Sequence, residues 1–162
     1  SPCGSSTFLN AGKASSQGVE LEIAYNLSEQ LRVNFGLGFN DGELSEDAPS
    51  LGDKGDRLPF TARSSANIGL DYNFNIAGYE SFIHANYAYV GGYHTDLAEQ
   101  SEEIGDYGKL GARVGVAIDQ WTFELYGTNL TNEDAISAAD ARVNSWIRLI
   151  PREIGLEIGY QF

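Results

Sequence analysis

The sequence is poor in the features on which several common protein classes depend. It contains one cysteine, Cys3, so no disulfide can form within the chain. Methionine is absent, and only four prolines occur in 162 residues. No segment offers the roughly 18 consecutive apolar residues that a membrane-spanning helix needs, and the mean hydropathy is −0.27. These absences exclude a disulfide-stapled domain and a helical membrane protein.

Basic residues are also scarce. Lysine and arginine number 10 against 23 acidic residues, which gives a net charge of −13. Nucleic-acid binding needs basic residues that displace counterions from phosphates, so we expect no nucleic-acid partner. Neither His84 nor His94 lies in a recognisable catalytic motif, and hydrolysis by a serine and a histidine would need a third group. We therefore expect no enzymatic activity and no cofactor.

The sequence does contain a repeated alternation of apolar and polar residues, which is typical of a β-strand with two different faces. In residues 18–27, for example, Val19 and Leu21 alternate with Glu20 and Glu22. The chain is also rich in glycine, tyrosine and phenylalanine, which favours an all-β fold. The other alternating segments, of which the last is the least regular, are residues 31–40, 65–74, 109–118, 121–128, 154–162 and 82–90. We therefore predict about seven strands.

The faces and connections of these strands indicate a transmembrane β-barrel. One face is apolar, and the other mixes glycine with charged and amide residues, which suits a water-filled lumen. Short links at 26–30, 75–80 and 119–120 alternate with long polar links at 41–60, 91–106 and 129–152. A barrel has this alternation because its periplasmic turns are tight and its extracellular loops are long.

Aromatic residues cluster near the short links on the apolar face, where amphipathic rings lie at the level of the lipid headgroups. They are Tyr25, Tyr72, Phe74, Trp121, Tyr160 and Phe162. We therefore predict an all-β, antiparallel transmembrane β-barrel wall, with the short turns and Phe162 on the periplasmic side.

Several short strings then add a resemblance to a known family. They are NAGKA at 10–14, GVELE at 18–22, GDRLPF at 55–60, YAYVG at 87–91, NLTN at 129–132, and Pro151-Arg152 before the last strand. In their order and spacing, the chain from Pro2 to Phe162 resembles the C-terminal part of the barrel of TonB-dependent receptors. One departure is Glu157, which occupies a position five residues before the terminal Phe162 where the family favours glycine.

The resemblance implies an energised importer of the bacterial outer membrane. Such receptors have about 22 strands around an N-terminal plug domain, and the periplasmic TonB complex drives rearrangement of the plug. Their substrates are scarce nutrients such as ferric siderophores, haem, cobalamin or oligosaccharides. The resemblance also implies that the barrel-assembly machinery reads the terminal Tyr160 and Phe162, and that lipid and lipopolysaccharide surround the wall. The substrate itself cannot be read from this sequence.

Seven strands cannot close a barrel of this kind, because every strand edge inside lipid must be paired. We therefore expect residues 1–162 to be the C-terminal segment of a receptor barrel, with the plug and the earlier strands elsewhere. The alternative is a small, complete eight-stranded barrel with a structural or adhesive role, in which residues 1–10 supply the eighth strand.

The long links carry most of the negative charge and hold the candidate binding residues. We predict that substrate-facing loops present Asp41, Glu43, Asp47, His94, Asp96 and Glu102. The acidic residues could capture a cation or a cationic substrate, or they could form a solvated exterior whose carboxylates are bridged to lipopolysaccharide by divalent ions. Their spacing matches no EF-hand calcium loop, so we predict no dedicated metal site. A haem-ligand role for His94 is a third possibility.

The polar face of the predicted strands carries further charges, which could hold the plug or line the substrate path. The simpler interpretation is that these charges pair across neighbouring strands. They are Glu20, Glu22, Arg32, Asp71, Arg113, Glu124 and Glu157. His84 is predicted to be a hydrogen-bonded residue of the same face.

Overall fold

The described part of the chain is built from β-strands alone. In a computed structural model it comprises residues 12–49, 51–97, 102–140 and 145–162, so Cys3 and the suggested eighth strand at 1–10 lie outside it. No helix in these residues is long and apolar enough to cross a membrane. The strands are β1 (Ala14–Asn26), β2 (Leu31–Leu44), β3 (Ser64–Ile76), β4 (Tyr79–Val90), β5 (Tyr93–His94), β6 (Glu103–Ile104), β7 (Tyr107–Ile118), β8 (Trp121–Thr128), β9 (Ile136–Asp140), β10 (Ser145–Arg148) and β11 (Glu153–Tyr160).

Seven of these strands form one antiparallel sheet in the order β1-β2-β3-β4-β7-β8-β11. The four short strands make two small ladders, β5 with β6 and β9 with β10, inside the second and third long connections. The predicted seven alternating segments are therefore confirmed as the main sheet. Among the described residues β1 and β11 are its edges, so the sheet is an open wall.

Strand β2 extends beyond its predicted end. It continues to Leu44, which is paired with Ala14 of β1, and the first long loop begins only at residue 45. The predicted loop at 41–60 therefore started too early. The apolar alternation stops at Phe39, but backbone pairing with the polar start of β1 carries the strand further.

Tight turns connect the strands at one end of the sheet. Ala77 and Gly78 have φ angles of 52° and 89°, both in the left-handed region that a two-residue hairpin turn of the favoured twist requires. At residues 27–30, the Ser28 hydroxyl accepts the backbone N–H groups of Gln30 and Leu31. The third short turn is Asp119–Gln120, where Asp119 has a φ of 54°. The predicted alternation of short and long links is therefore confirmed.

The register places like residues beside like residues on each face. One row across the outer face runs Ile23, Phe35, Ile68, Tyr87 and Leu110 on five successive strands. Many large apolar side chains of the outer face are exposed, with values as high as 69% for Val19 and 68% for Leu156. An exposed apolar surface of this extent is the lipid-facing side of a transmembrane barrel.

The core lies in the loops rather than beneath the sheet. The buried hydrophobic residues of the described chain are Leu44, Ala48, Ile104 and Leu149, which lie at the loop end of the sheet. At the opposite end, Trp121 packs against Tyr160 with ring centroids 4.7 Å apart, and Phe162 meets Tyr160 edge-on at 5.2 Å. The Tyr160 hydroxyl donates to Gln120 Oε1 at 2.6 Å. This end therefore carries a cluster of aromatic rings with a hydrogen-bonded hydroxyl, as is typical of the aromatic belt at the level of the lipid headgroups.

We predict that the two faces differ in their access to water. Cysteine placed at Val33 or Leu70, in a Cys3→Ser background, should lie in lipid, whereas cysteine at the neighbouring Asn34 or Asn67 should face the lumen. A small membrane-impermeant maleimide applied to the intact barrel in its membrane should label only the second pair. Equal labelling of the two pairs of cysteines would contradict the assigned faces.

Candidate functional site

The inner face of the sheet carries a row of charged and polar side chains. Strand register sets Arg32, Asp71, His84, Arg113 and Tyr126 side by side on β2, β3, β4, β7 and β8. The His84 Nδ1 lies 2.7 Å from Asp71 Oδ1. Since cross-strand neighbours on one face lie within reach of each other, the register alone creates this contact.

Arg113 is the centre of the second cluster on this face. Its Nη1 donates to Glu124 Oε2 at 2.6 Å and lies 3.5 Å from Glu157 Oε2. Its guanidinium also lies over the Tyr126 ring, 5.6 Å from the centroid, in a cation–π arrangement. One cation thus balances two carboxylates from the last two strands of the sheet.

Glycines on the inner face make room for the larger residues beside them. A Cβ atom at Gly155 would collide with the Tyr126 ring, and one at Gly115 would collide with the Phe82 ring. Tyr126 can therefore lie flat across β11 beneath Arg113, while Phe82 packs against His84 with centroids 4.7 Å apart. The glycines determine where the aromatic rings of the lumen lie.

The predicted pairing of inner-face charges across strands is confirmed for Arg113, Glu124 and Glu157, and Asp71 contacts His84, which was predicted to be a hydrogen-bonded residue of this face. Glu20, Glu22 and Arg32 form no ion pair or hydrogen bond within the described residues. Sequence analysis did not identify Phe82 and Tyr126 as parts of these clusters. Their inward positions followed from the alternation, but their contacts depend on the cross-strand neighbours.

A cavity of about 730 Å³ lies at the short-turn end of the sheet. Asn73, Glu80, Phe82 and Thr122 line it from β3, β4 and β8, and Phe82 links it to the His84–Asp71 pair. Tyr72 and Phe74, which belong to the opposite face, also line this cavity, so it lies at the end of the sheet and not on the inner face alone.

The long loops at the opposite end are joined into one layer. The Phe60 N–H donates to the His94 carbonyl at 2.8 Å, which ties the first long loop to β5. The Tyr93 hydroxyl donates to the Ser137 carbonyl at 2.7 Å, which ties β5 to β9. Burial raises the pKa of the Tyr93 phenol, which favours the protonated hydroxyl that donates this hydrogen bond. The three loops therefore support one another.

Asn129, the first residue of the NLTN string, closes the third long loop. It is only 5% exposed. Its Nδ2 donates to the carbonyls of Glu133 and Ile150, each at 2.9 Å, and its Oδ1 accepts the Glu133 N–H. The side chain therefore joins the beginning of this loop to its end, just before β11.

Two of the predicted substrate-facing residues lie on the outer side of the wall. Asp41 and Glu43 continue the alternation of Phe39 along β2, and both are exposed. Arg63 lies beside Asp41, with 3.8 Å between Nη2 and Oδ1. This placement favours contact with the membrane surface over contact with a solute in the lumen.

The other acidic residues are used partly to shape their own loops. Asp47 accepts the Lys54 N–H at 2.9 Å, and Asp96 accepts the Leu97 N–H at 2.8 Å. His94 lies in β5 and Glu102 immediately precedes β6. Within the described residues, no three histidine, cysteine or acidic side chains come close enough to hold a metal ion. A substrate-facing role for these loop residues stays a prediction.

An open antiparallel wall with an apolar outer face, a charged inner face and alternating turns and loops defines a segment of a transmembrane β-barrel. The family model of the TonB dependent receptor-like β-barrel matches residues 1–130, and the chain belongs to this family. Members are outer-membrane transporters of Gram-negative bacteria rather than enzymes. No curated protein matches the sequence.

Solved structures share this architecture. The ferric yersiniabactin uptake receptor FyuA from Yersinia pestis superposes with a TM-score of 0.84 at 22% identity, over 94% of this chain and 24% of its own. The siderophore receptor PiuA from Acinetobacter baumannii gives 0.80 at 17% identity, over 93% and 22%. The ferric-catecholate import receptor Fiu from E. coli K12 gives 0.77 at 20%, over 93% and 21%. The chain thus spans about a quarter of the length of these receptors.

We predict that Arg113 and Glu124 are energetically coupled. A double-mutant cycle with Arg113→Ala and Glu124→Ala should give a coupling of about 1 kcal/mol, because both side chains are held by the sheet. The measurement is urea-dependent unfolding of the whole receptor in lipid vesicles. The control pair, Lys13 and Glu46, is also in contact, at 3.0 Å, but is far more exposed, so its coupling should be below about 0.5 kcal/mol. Equal couplings would contradict a structural role for the Arg113 cluster.

Proposed function

We propose that this chain forms the C-terminal wall of a TonB-energised receptor that imports a scarce nutrient across the outer membrane. The observation that carries the proposal is the two-faced sheet, with its short turns at one end and its linked loops at the other, in a member of this family. Ferric siderophores are the first candidate substrates, since PiuA is described as a siderophore receptor, FyuA as a ferric yersiniabactin uptake receptor and Fiu as a ferric-catecholate import receptor. Haem, cobalamin and oligosaccharides are the other candidates.

The inner face is proposed to contact the plug domain of the same receptor. Glu20, Glu22 and Arg32 have no partner within the described residues, so they are available to a partner in the lumen. Arg113, by contrast, is already balanced by Glu124 and Glu157. In this proposal the unpaired charges hold the plug. The paired cluster keeps the wall rigid when the TonB complex rearranges the plug.

The extracellular loops are proposed to receive the substrate before it reaches the plug. Asp47, His94, Asp96 and Glu102 belong to the loop layer and remain candidates for this role. The link from Phe60 to His94, and from Tyr93 to Ser137, would transmit a contact at one loop to the others. Asp41 and Glu43 are weaker candidates because they lie on the outer face.

Transport can be tested in a Gram-negative host that lacks its own siderophore receptors. The whole receptor that contains this chain should support uptake of an iron-55 siderophore complex, and uptake should stop when the TonB gene is deleted. Intact mass of the purified native protein separates a receptor about four times longer than this chain from a small complete barrel. Outer-membrane insertion without TonB-dependent uptake of any tested nutrient class would contradict the proposal.

The terminal Phe162 provides a second test, directed at assembly. The protein itself leaves the residue fully exposed. If it serves only to be buried in lipid, its loss should cost about 1.5–3 kcal/mol. If the barrel-assembly machinery reads this end together with Tyr160, deletion of Phe162 should deplete the assembled receptor strongly. Leu156→Ala, on the outer face of β11, should have little effect.

The readout is heat-modifiable gel mobility of both variants in outer-membrane fractions. Equal amounts of folded receptor would remove the assembly role and leave Phe162 as one more lipid-facing residue.

A further inference from the structure

The hairpin of β9 and β10, in the third long connection, has one covered edge and one free edge. On the covered side β9 contacts β6, and the N–H of Gly105, just after β6, donates to the Ile136 carbonyl at 3.4 Å. Strand β10 pairs with β9 and contacts no other described strand. All four of its residues, Ser145–Arg148, are exposed. Within the described chain the hairpin therefore ends in an unpaired strand edge.

This free edge is apolar and already ordered. Trp146 is 44% exposed and Ile147 is 61% exposed. The Ser137 hydroxyl donates to the Ile147 carbonyl at 3.1 Å, which holds β10 to β9. Nearer the sheet, the Leu149 N–H donates to the Ala135 carbonyl at 2.9 Å. An ordered edge strand with large apolar side chains is a template for pairing with another strand, and proteins normally cover such an edge.

The free edges of β10 and β11 lie on the same side of the molecule. Strand β9 follows β8 and contacts β6, whereas β10 leads into β11, so the hairpin repeats the order of the two strands below it. The buried Asn129 amide holds the base of the hairpin in place by donating to the Ile150 carbonyl, just before β11. Within the described residues β11 pairs with β8 alone, and its other edge must also be paired inside lipid.

The direction of β11 determines where its missing partner leads. Strand β11 runs from the loop end of the sheet to the short-turn end, so an antiparallel partner runs towards the loops and continues into an extracellular segment there. We propose that this segment adds to the free edge of β10 as an antiparallel strand and covers Trp146 and Ile147. In the receptor proposed above, the segment belongs to the part of the protein beyond these 162 residues.

The proposed contact has a definite chemistry. Backbone hydrogen bonds along β10 would supply the affinity, and side chains at alternate positions would supply the specificity. The segment should therefore be extended, with β-branched or aromatic residues opposite Trp146 and Ile147. Its addition would continue the linked loop layer across the junction beside β11. The inference rests on the wall being part of a larger barrel, as the proposed function has it, but not on import of a nutrient.

The test is photo-crosslinking in the purified whole receptor, with p-benzoylphenylalanine in place of one residue at a time. In place of Leu156, on the outer face of β11, the probe should crosslink to the strand that pairs with β11, because cross-strand neighbours on one face lie about 5 Å apart. In place of Ile147 it should crosslink within the same receptor molecule, to the segment that directly follows that strand. Peptide mass spectrometry locates both crosslinks. Trp146 is the second position for the probe if the Ile147 variant does not assemble.

Leu51 is the matched control, since it is 51% exposed but lies in the first long loop, away from β11 in the order of strands. A probe there should not reach the segment. All variants should first show the heat-modifiable mobility of the wild-type receptor. The proposal is overturned if the probe at β10 crosslinks only to detergent, to a second receptor molecule, or to a loop that does not follow the strand identified from Leu156.

The same crosslinks separate this proposal from the proposed function. If the probes at Leu156 and Ile147 both crosslink within residues 1–13, the wall closes as the small eight-stranded barrel. The contact at β10 then stands, and the transport proposal fails. TonB-dependent uptake by a receptor whose β10 gives no crosslink to the expected segment is the opposite result.

Discussion

Hydrocarbon offers no hydrogen-bond partner to a peptide group, and the whole architecture of this chain follows from that constraint. Strands β1, β2, β3, β4, β7, β8 and β11 satisfy it by pairing each with the next in an unbroken antiparallel ladder. The same constraint requires strands beyond β1 and β11, which are the edges of the sheet in the described residues. The short turns and long loops both lie beyond the apolar band, where water can solvate irregular backbone.

Once the ladder is fixed, the two-residue period of a strand assigns every side chain to lipid or to lumen. The outer face then needs no hydrophobic core beneath it, which explains why large apolar residues such as Val19 and Leu156 are exposed while the buried ones lie among the loops. On the inner face the same period brings Asp71 against His84 and Arg113 against Glu124. A charged lumen and an apolar exterior are therefore two consequences of one register.

The loop end of the molecule is held together by different interactions. Backbone and side-chain hydrogen bonds join loops that are distant in sequence, as between Phe60 and His94 and between Tyr93 and Ser137. Asn129 adds a buried amide that joins both ends of the third loop. Several loop carboxylates that the sequence analysis predicted to face a substrate accept backbone N–H groups of their own loops, as Asp47 does. The negative charge of the loops thus serves their own folding as well as any ligand.

Strand positions, faces and the alternation of turns and loops could be predicted from the sequence by itself, because each depends on local period and on turn residues such as Ala77-Gly78. Strand ends are harder to predict. Strand β2 continues to Leu44 because it pairs with β1 there, and the residues after Phe39 show no apolar alternation that would reveal this extension. The inner clusters depend on which residues the register sets opposite one another, so alternation placed Tyr126 and Phe82 in the lumen without revealing their contacts with Arg113 and His84. Alternation along the extended β2 sets Asp41 on the outer face, but only the tertiary structure decided that Arg63 lies beside it, since a bend before β3 brings that arginine to β2 and no local pattern encodes the meeting.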